Sequence, residues 1–129
     1  MEKLNIAIAD DNALMVQLLD QIVSSDEELR VVGKAGNGEE LIDIIREKKP
    51  DVVLMDIIMP KLDGLKATEW IRHSSHEQAQ EIPIIAMTAN AFAEDVEKSL
   101  AAGMNAHLVK PIDIDKLLRM VQDYAKSVY

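Results

Sequence analysis

The feature that most constrains the fold is a repeated alternation of short apolar runs with longer stretches of helical spacing. The short runs are rich in Ile, Val and Leu, and most are apolar throughout, as in parallel strands that helices cover on both faces. Only the second run, "RVVGKA", is mixed, which suits the edge of a sheet. The predicted strands are Leu4–Ala9, Arg30–Ala35, Asp51–Met55, Ile82–Met87 and Ala106–Val109.

Each helix that follows a predicted strand has a start or stop signal. Asn12 can cap the first helix, and the second must end before Pro50. The third begins near Asp63, Gly103 stands where a C-terminal cap would close the fourth, and Asp113 can cap the fifth. Five β–α pairs in this order predict an α/β fold, with a doubly wound parallel sheet between two layers of helices.

Composition narrows the class of protein. With 129 residues, 48% of them hydrophobic, the chain suits one folded domain, residues 1–129. It has no cysteine, which excludes disulfides and thiolate metal sites, and no apolar run is long enough to span a bilayer. We therefore expect a soluble cytoplasmic protein without a membrane partner. A net charge of −9 disfavours direct binding of nucleic acid and favours a metal cation or a basic protein.

Polar residues follow four of the predicted strands, just past their ends. Asp10 and Asp11 follow the first strand, Asp56 the third, Thr88 the fourth and Lys110 the fifth. Because ligands of such sheets bind outside the carboxyl ends of the strands, we expect these residues to converge at one edge. Each residue taken alone is more often a helix cap or a solvated turn, but their joint order favours a functional site.

The chemistry of these residues suits phosphoryl transfer. Asp10, Asp11 and Asp56 offer the carboxylate oxygens that Mg²⁺ prefers, and the cation lets all three stay ionised. Asp56 would then attack phosphorus as a nucleophile and form an acyl phosphate. Lys110 and Thr88 would supply a positive charge and a hydroxyl donor to the phosphate oxygens.

Four segments carry a resemblance to a known family: "IADDN", "DVVLMDIIMPKLDGL", "PIIAMTAN" and "AAGMNAHLVKPID". Together they resemble the receiver domain of response regulators, the family of the bacterial chemotaxis response regulator, over the whole chain. The first half is most similar to receivers of the sporulation regulator type, and the second half to receivers fused to hybrid histidine kinases. The resemblance implies a flavodoxin-like (βα)5 fold, a five-stranded sheet in the order 2-1-3-4-5.

The resemblance also implies roles for single residues. Asp56 matches the phosphorylated aspartate, Asp11 a direct Mg²⁺ ligand, Asp10 a ligand through water, and the backbone carbonyl of Ile58 a further ligand. The phosphoryl donor is implied to be a sensor histidine kinase or a histidine phosphotransfer protein. Such a domain catalyses its own phosphorylation and slow dephosphorylation without being a turnover enzyme.

Signal output is implied to depend on two further positions. Thr88 matches the switch hydroxyl, which moves inward on phosphorylation, and Lys110 matches the phosphate-binding lysine. The motion shifts the face made by the fourth helix, fifth strand and fifth helix, which controls a target protein or an attached output domain. A homodimer formed on phosphorylation is a further expectation. The family usually has an aromatic switch residue at the position of His107. Histidine is smaller and titratable, so the alternative that His107 is a partly buried ring with no switching role stays open.

Two other interpretations fit the sequence less well. A small Mg²⁺-dependent phosphatase could also use Asp56 as its nucleophile, but haloacid-dehalogenase phosphatases place Asp-x-Asp after the first strand, and here the acids are adjacent. The segment "SSHEQ" resembles the phosphoacceptor box of sensor kinases, but Pro83 follows His76 too late.

Overall fold

The fold was obtained as a computed structural model, and the structure describes residues 3–56, 68–69, 71–73, 82–88, 102–109 and 112–127. The strands are β1 (Leu4–Ala9), β2 (Leu29–Ala35), β3 (Val52–Asp56), β4 (Ile84–Thr88) and β5 (Ala106–Val109). They form one five-stranded sheet in the order β2-β1-β3-β4-β5, and every neighbouring pair is parallel. The predicted fold class and strand order are confirmed, and the mixed strand β2 lies at an edge as expected.

Two predicted strands are displaced, and the displacement changes how the site is built. β3 begins at Val52. The Asp51 amide still donates to the Asn5 carbonyl of β1 at 2.6 Å, but the Asn5 amide donates to the Asp51 carboxylate at 2.7 Å rather than to a backbone carbonyl. β4 begins at Ile84 because Pro83 has no amide hydrogen to donate. Both strands run one residue further than predicted, so Asp56 and Thr88 end their strands rather than following them. The prediction that these two residues lie past the strand ends is therefore wrong by one position.

The described helices begin and end where the sequence signals them. Helix α1 (Ala13–Ser24) is capped by Asn12, and helix α2 (Gly38–Lys48) stops two residues before Pro50. The C-terminal helix (Ile114–Ser127) begins after Asp113, whose carboxylate accepts the Lys116 amide at 3.1 Å. A further helical segment covers residues 68–69 and 71–72, within the third predicted helix. None of the helices in these described ranges is long and apolar enough to cross a bilayer.

The core has two layers, one on each face of the sheet. Alternate strand residues point to opposite faces, so Ile6 and Ile8 enter one layer while Ala7 and Ala9 enter the other. The first layer packs against α1 and the C-terminal helix through Leu19, Val23, Leu117 and Val121. The second packs against α2 through Leu41 and Ile45 and against Ile71 of the helical segment. This doubly wound arrangement leaves the carboxyl ends of the strands as the open edge at which a site can form.

Candidate functional site

Three carboxylates meet at the carboxyl edge of the two central strands. β1 pairs with β3 through Ala9 and Met55, which brings Asp10, just after β1, beside Asp56 at the end of β3. One oxygen from each of Asp10, Asp11 and Asp56 lies within 4.8 Å of the other two. The structure thus brings together the three acids that the sequence predicts as one cluster.

The three acids differ in exposure and in how the fold holds them. Asp10 is only 1% exposed, and its backbone amide donates to the Ala35 carbonyl of β2 at 3.0 Å. Its carboxylate accepts the Asn12 amide, also at 3.0 Å. Asp11 is exposed, and Asp56 is partly buried at the end of β3. The cluster therefore has a fixed inner member and an outer member that faces solvent.

Asn12 joins the acid cluster to α1. Its side-chain oxygen accepts the amides of Leu14 and Met15 at 3.0 and 3.2 Å, as an N-cap does. The sequence predicts this cap from the residue type and its position. The bond from the Asn12 amide to Asp10 could not be predicted, because it depends on the backbone path between the strand and the helix.

A groove of about 640 Å³ opens beside the acids, between α1 and the end of β2. Asp10 and Asp11 line it together with Asp20 of α1 and Lys34 of β2, whose charged groups form an ion pair of 2.6 Å. The hydrogen bond from Lys34 holds the pKa of Asp20 below its ordinary value. No motif in the sequence indicates this pair, because Asp20 and Lys34 meet only through the packing of α1 on the edge strand.

The other predicted site residues are placed only in part. Thr88 ends β4 at the same edge of the sheet, one residue after Met87, which pairs with Asp56. Its backbone is described, but its side chain, Ile58 and Lys110 lie outside the described residues. The predicted ligand role of the Ile58 carbonyl and the predicted phosphate contact of Lys110 stay predictions.

His107 lies on β5, beside Ala86 of β4. Its Nε2 atom is buried and has no hydrogen-bond partner among the described residues. Burial lowers the pKa of the His107 imidazole below its ordinary value, because the charged ring is poorly solvated there. His107 is thus a partly buried polar ring on β5, and the switch role predicted for His107 stays a prediction.

The donor set of the cluster fits a hard divalent cation. Carboxylate oxygens are the protein ligands that Mg²⁺ prefers, and Mg²⁺ is commonly held by one or two of them with water and phosphate oxygens. Three carboxylates within 4.8 Å repel one another unless a positive charge balances them. The exposed side of Asp11 leaves room for water and phosphate oxygens.

Comparison with known proteins shows the family to which the chain is similar. A family model described as the response regulator receiver domain matches residues 6–122. The polar-differentiation response regulator DivK of Brucella anthropi is 31% identical over 120 residues, which cover 93% of this chain and 94% of that protein. A protein-glutamate methylesterase/protein-glutamine glutaminase of Syntrophomonas wolfei is 40% identical over 111 residues, 86% of this chain. The matched segment spans only 31% of that relative's length.

A solved structure extends the likeness to three dimensions. The receiver domain of the sensor histidine kinase PA1611 from Pseudomonas aeruginosa has a TM-score of 0.85 and 33% sequence identity. The match covers 96% of this chain and 98% of that one. That structure holds a magnesium ion coordinated in its active-site cleft.

Proposed function

Because this chain belongs to the family of response regulator receiver domains of two-component systems, we propose that it accepts a phosphoryl group on Asp56 in a Mg²⁺-dependent reaction. The observation that carries the proposal is the cluster of Asp10, Asp11 and Asp56 at the carboxyl edge of β1 and β3. A receiver needs a nucleophilic oxygen beside a cation site, and this cluster offers both within one small region. The magnesium ion in the active-site cleft of the related receiver from Pseudomonas aeruginosa supports the proposal that Mg²⁺ binds at this cluster.

Each predicted site residue has its own role in the proposed reaction. A carboxylate oxygen of Asp56 forms a bond to phosphorus while the bond from phosphorus to the imidazole nitrogen of the donor breaks, and the electron pair stays on that nitrogen. Asp10 and Asp11, with the backbone carbonyl of Ile58, would hold Mg²⁺. The ion, when bound, supplies positive charge against the charge on the transferred phosphoryl group. Lys110 and Thr88 are proposed to contact the phosphate oxygens with an ammonium and a hydroxyl group.

The donor and the output extend the proposal. We propose a phosphohistidine on a sensor histidine kinase or a histidine phosphotransfer protein as the donor, in the cytoplasm. Residues 1–129 would act as one receiver unit, whose phosphorylation draws Thr88 inward and shifts the face that contains β5, His107 and the C-terminal helix. That face would then bind a target protein, an attached output domain or a second phosphorylated copy.

Beryllofluoride, which mimics a phosphoryl group on a carboxylate, tests the site directly. We expect Mg²⁺ and beryllofluoride together to change the NMR spectrum and the fluorescence of Trp70, the only tryptophan of the chain. Asp56→Asn should abolish this response, and Asp11→Ala should weaken its dependence on Mg²⁺. Asp43→Asn, an equal loss of charge at an exposed position of α2, is the matched control and should respond like the unmodified chain. A normal response from Asp56→Asn would contradict the assignment of the acceptor.

A turnover assay separates the receiver from the phosphatase alternative. A receiver consumes acetyl phosphate slowly and retains the phosphoryl group, which intact-protein mass spectrometry detects on the unmodified chain and not on Asp56→Asn. Rapid hydrolysis of many equivalents of phosphate ester, without accumulation of phosphoprotein, would favour a phosphatase that uses Asp56 as a nucleophile.

A further inference from the structure

We propose that Asn12 is a positioning residue for the acid cluster and that it couples metal binding to the first turn of α1. The inference rests on the proposed function, since it takes Asp10 and Asp11 as residues that hold Mg²⁺. It concerns a residue that contributes no carboxylate itself and acts through its neighbours. Four hydrogen bonds around Asn12 support this role.

Asn12 is hydrogen-bonded both to Asp10, which follows β1, and to the first turn of α1. Its amide donates to Oδ1 of Asp10 at 3.0 Å, so the residue holds one oxygen of the inner acid. Its own side-chain oxygen accepts the Leu14 and Met15 amides, and its carbonyl accepts the Val16 amide at 3.0 Å. A change that loosens the cap therefore also loosens the donor that orients Asp10.

The position of Asp11 follows from its two neighbours. Asp10 is fixed by the bond from its amide to the carbonyl of Ala35, and Asn12 is fixed by the helix that it caps. Asp11 lies between them with its side chain exposed, so its backbone conformation, more than packing, determines where its carboxylate points. Without the cap, Asp11 would sample more directions, and Mg²⁺ would have to restrict them on binding.

Coupling of this kind is reciprocal. If the cap makes the metal site more favourable, then the bound metal must make the cap more favourable by the same factor. The factor cannot exceed what the cap itself contributes, which limits it to about fivefold for a typical N-cap. Mg²⁺ should therefore slow hydrogen exchange of the capped amides of Leu14 and Met15.

The experiment compares three variants of the full chain by Mg²⁺ titration and amide hydrogen exchange, both followed by NMR. Asn12→Ala should weaken Mg²⁺ binding by about threefold to fivefold, whereas Asn12→Ser, which keeps a capping oxygen, should stay within about twofold. The matched control is Asn37→Ala, which removes the side chain that caps α2 by accepting the Glu40 amide. This control should leave Mg²⁺ binding unchanged. Mg²⁺ should slow exchange of the Leu14 and Met15 amides less in Asn12→Ala than in the unmodified chain.

The outcomes separate this inference from the function on which it rests. Equal Mg²⁺ affinity in Asn12→Ala and the unmodified chain would overturn the positioning role, and so would an equal loss in Asn37→Ala. Leu14 and Met15 amides that exchange at the same rate with and without Mg²⁺ would overturn the coupling. A failure of the unmodified chain to bind Mg²⁺ at all would instead contradict the proposed function, and this inference with it.

Discussion

Among the residues that the structure describes, His107 has a buried side-chain nitrogen, Nε2, without a hydrogen-bond partner. His107 lies on β5, beside Ala86 of β4. Burial disfavours the charged ring and lowers the pKa of His107 in the folded chain below the ordinary value of 6.5. The unfolded chain therefore takes up the proton at a higher pH than the folded chain does.

This difference in the pKa of His107 predicts that the free energy of unfolding decreases as the solution becomes more acidic. Because the folded pKa is the lower one, the folded state is favoured above pH 6.5 and loses that advantage as pH falls from 6.5 towards the folded pKa. We expect the melting temperature to fall less between about pH 7.5 and about pH 5.5 in His107→Phe than in the unmodified chain. His73→Gln, which removes an exposed histidine, serves as the control and should keep the full decrease. An equal decrease in His107→Phe would contradict the prediction.

Single residues also show what the sequence could and could not predict about the site. The meeting of Asp10, Asp11 and Asp56 follows from topology alone, because each lies at the carboxyl end of a central strand. The contact between Asn12 and Asp10 and the pair of Lys34 with Asp20 could not be predicted. Both contacts depend on the position of a helix relative to a strand to within about an ångström. The spacing of residues in the sequence does not specify that position.

At the scale of elements, the turn before β5 connects three separate parts of the fold. The side-chain oxygen of Asn105 accepts the Ile84 amide at 2.9 Å and Nη2 of Arg72 at 2.8 Å, and its carbonyl accepts the Tyr124 hydroxyl at 3.1 Å. Nε of Arg72 also donates to the carbonyl of Gly103 at 3.0 Å. The turn therefore holds β4, the helical segment around residue 72 and the C-terminal helix together.

Gly103 is the residue in this turn at which a side chain would be strained. Its φ of +109° lies in a region that other residues rarely adopt, and an added Cβ would lie 2.8 Å from Cγ of Arg72. We expect Gly103→Ala to reduce the free energy of unfolding by about 1–3 kcal/mol, measured by chemical denaturation. Gly36→Ala is the matched control, because an added Cβ there meets nothing within 4 Å. Equal losses in the two variants would contradict this account of Gly103.

The boundaries of the elements were predictable where a capping residue or a clear apolar run marks them. β1 and β5 begin and end as predicted, and Asn12 and Asp113 cap the helices expected of them. β3 and β4 begin later than predicted because the Asp51 carboxylate, rather than a backbone carbonyl, accepts the Asn5 amide and because Pro83 has no amide hydrogen to donate. A strand boundary of this kind depends on partner strands that lie far away in the chain.

On the scale of the whole molecule, the sheet order concentrates negative charge at one place. β1 and β3 are neighbours in the centre of the sheet, so Asp10, Asp11 and Asp56 face one another in a chain whose net charge is already −9. The apolar layers on both faces of the sheet provide the stability that tolerates this repulsion. A site of this kind is a place where a fold gives up stability for function.

The repulsion predicts opposite effects with and without metal. In buffer with a chelator, Asp11→Asn should melt about 2 °C above the unmodified chain, because it removes one of the clustered charges. Added Mg²⁺ should raise the melting temperature of the unmodified chain more than that of the variant, since binding to the folded state stabilises it in proportion to affinity.

Asp43→Asn on α2 separates this local effect from that of net charge, because it removes the same charge at a different, exposed position. It should retain the full response to Mg²⁺, and any gain in stability that it shows should be smaller. Moderate salt should reduce the gain of Asp11→Asn in chelator, because exposed charges are screened. A variant Asp11→Asn that melts below the unmodified chain in chelator would show that Asp11 stabilises the folded chain through contacts other than a metal ion, and would contradict the charge-repulsion account of the cluster.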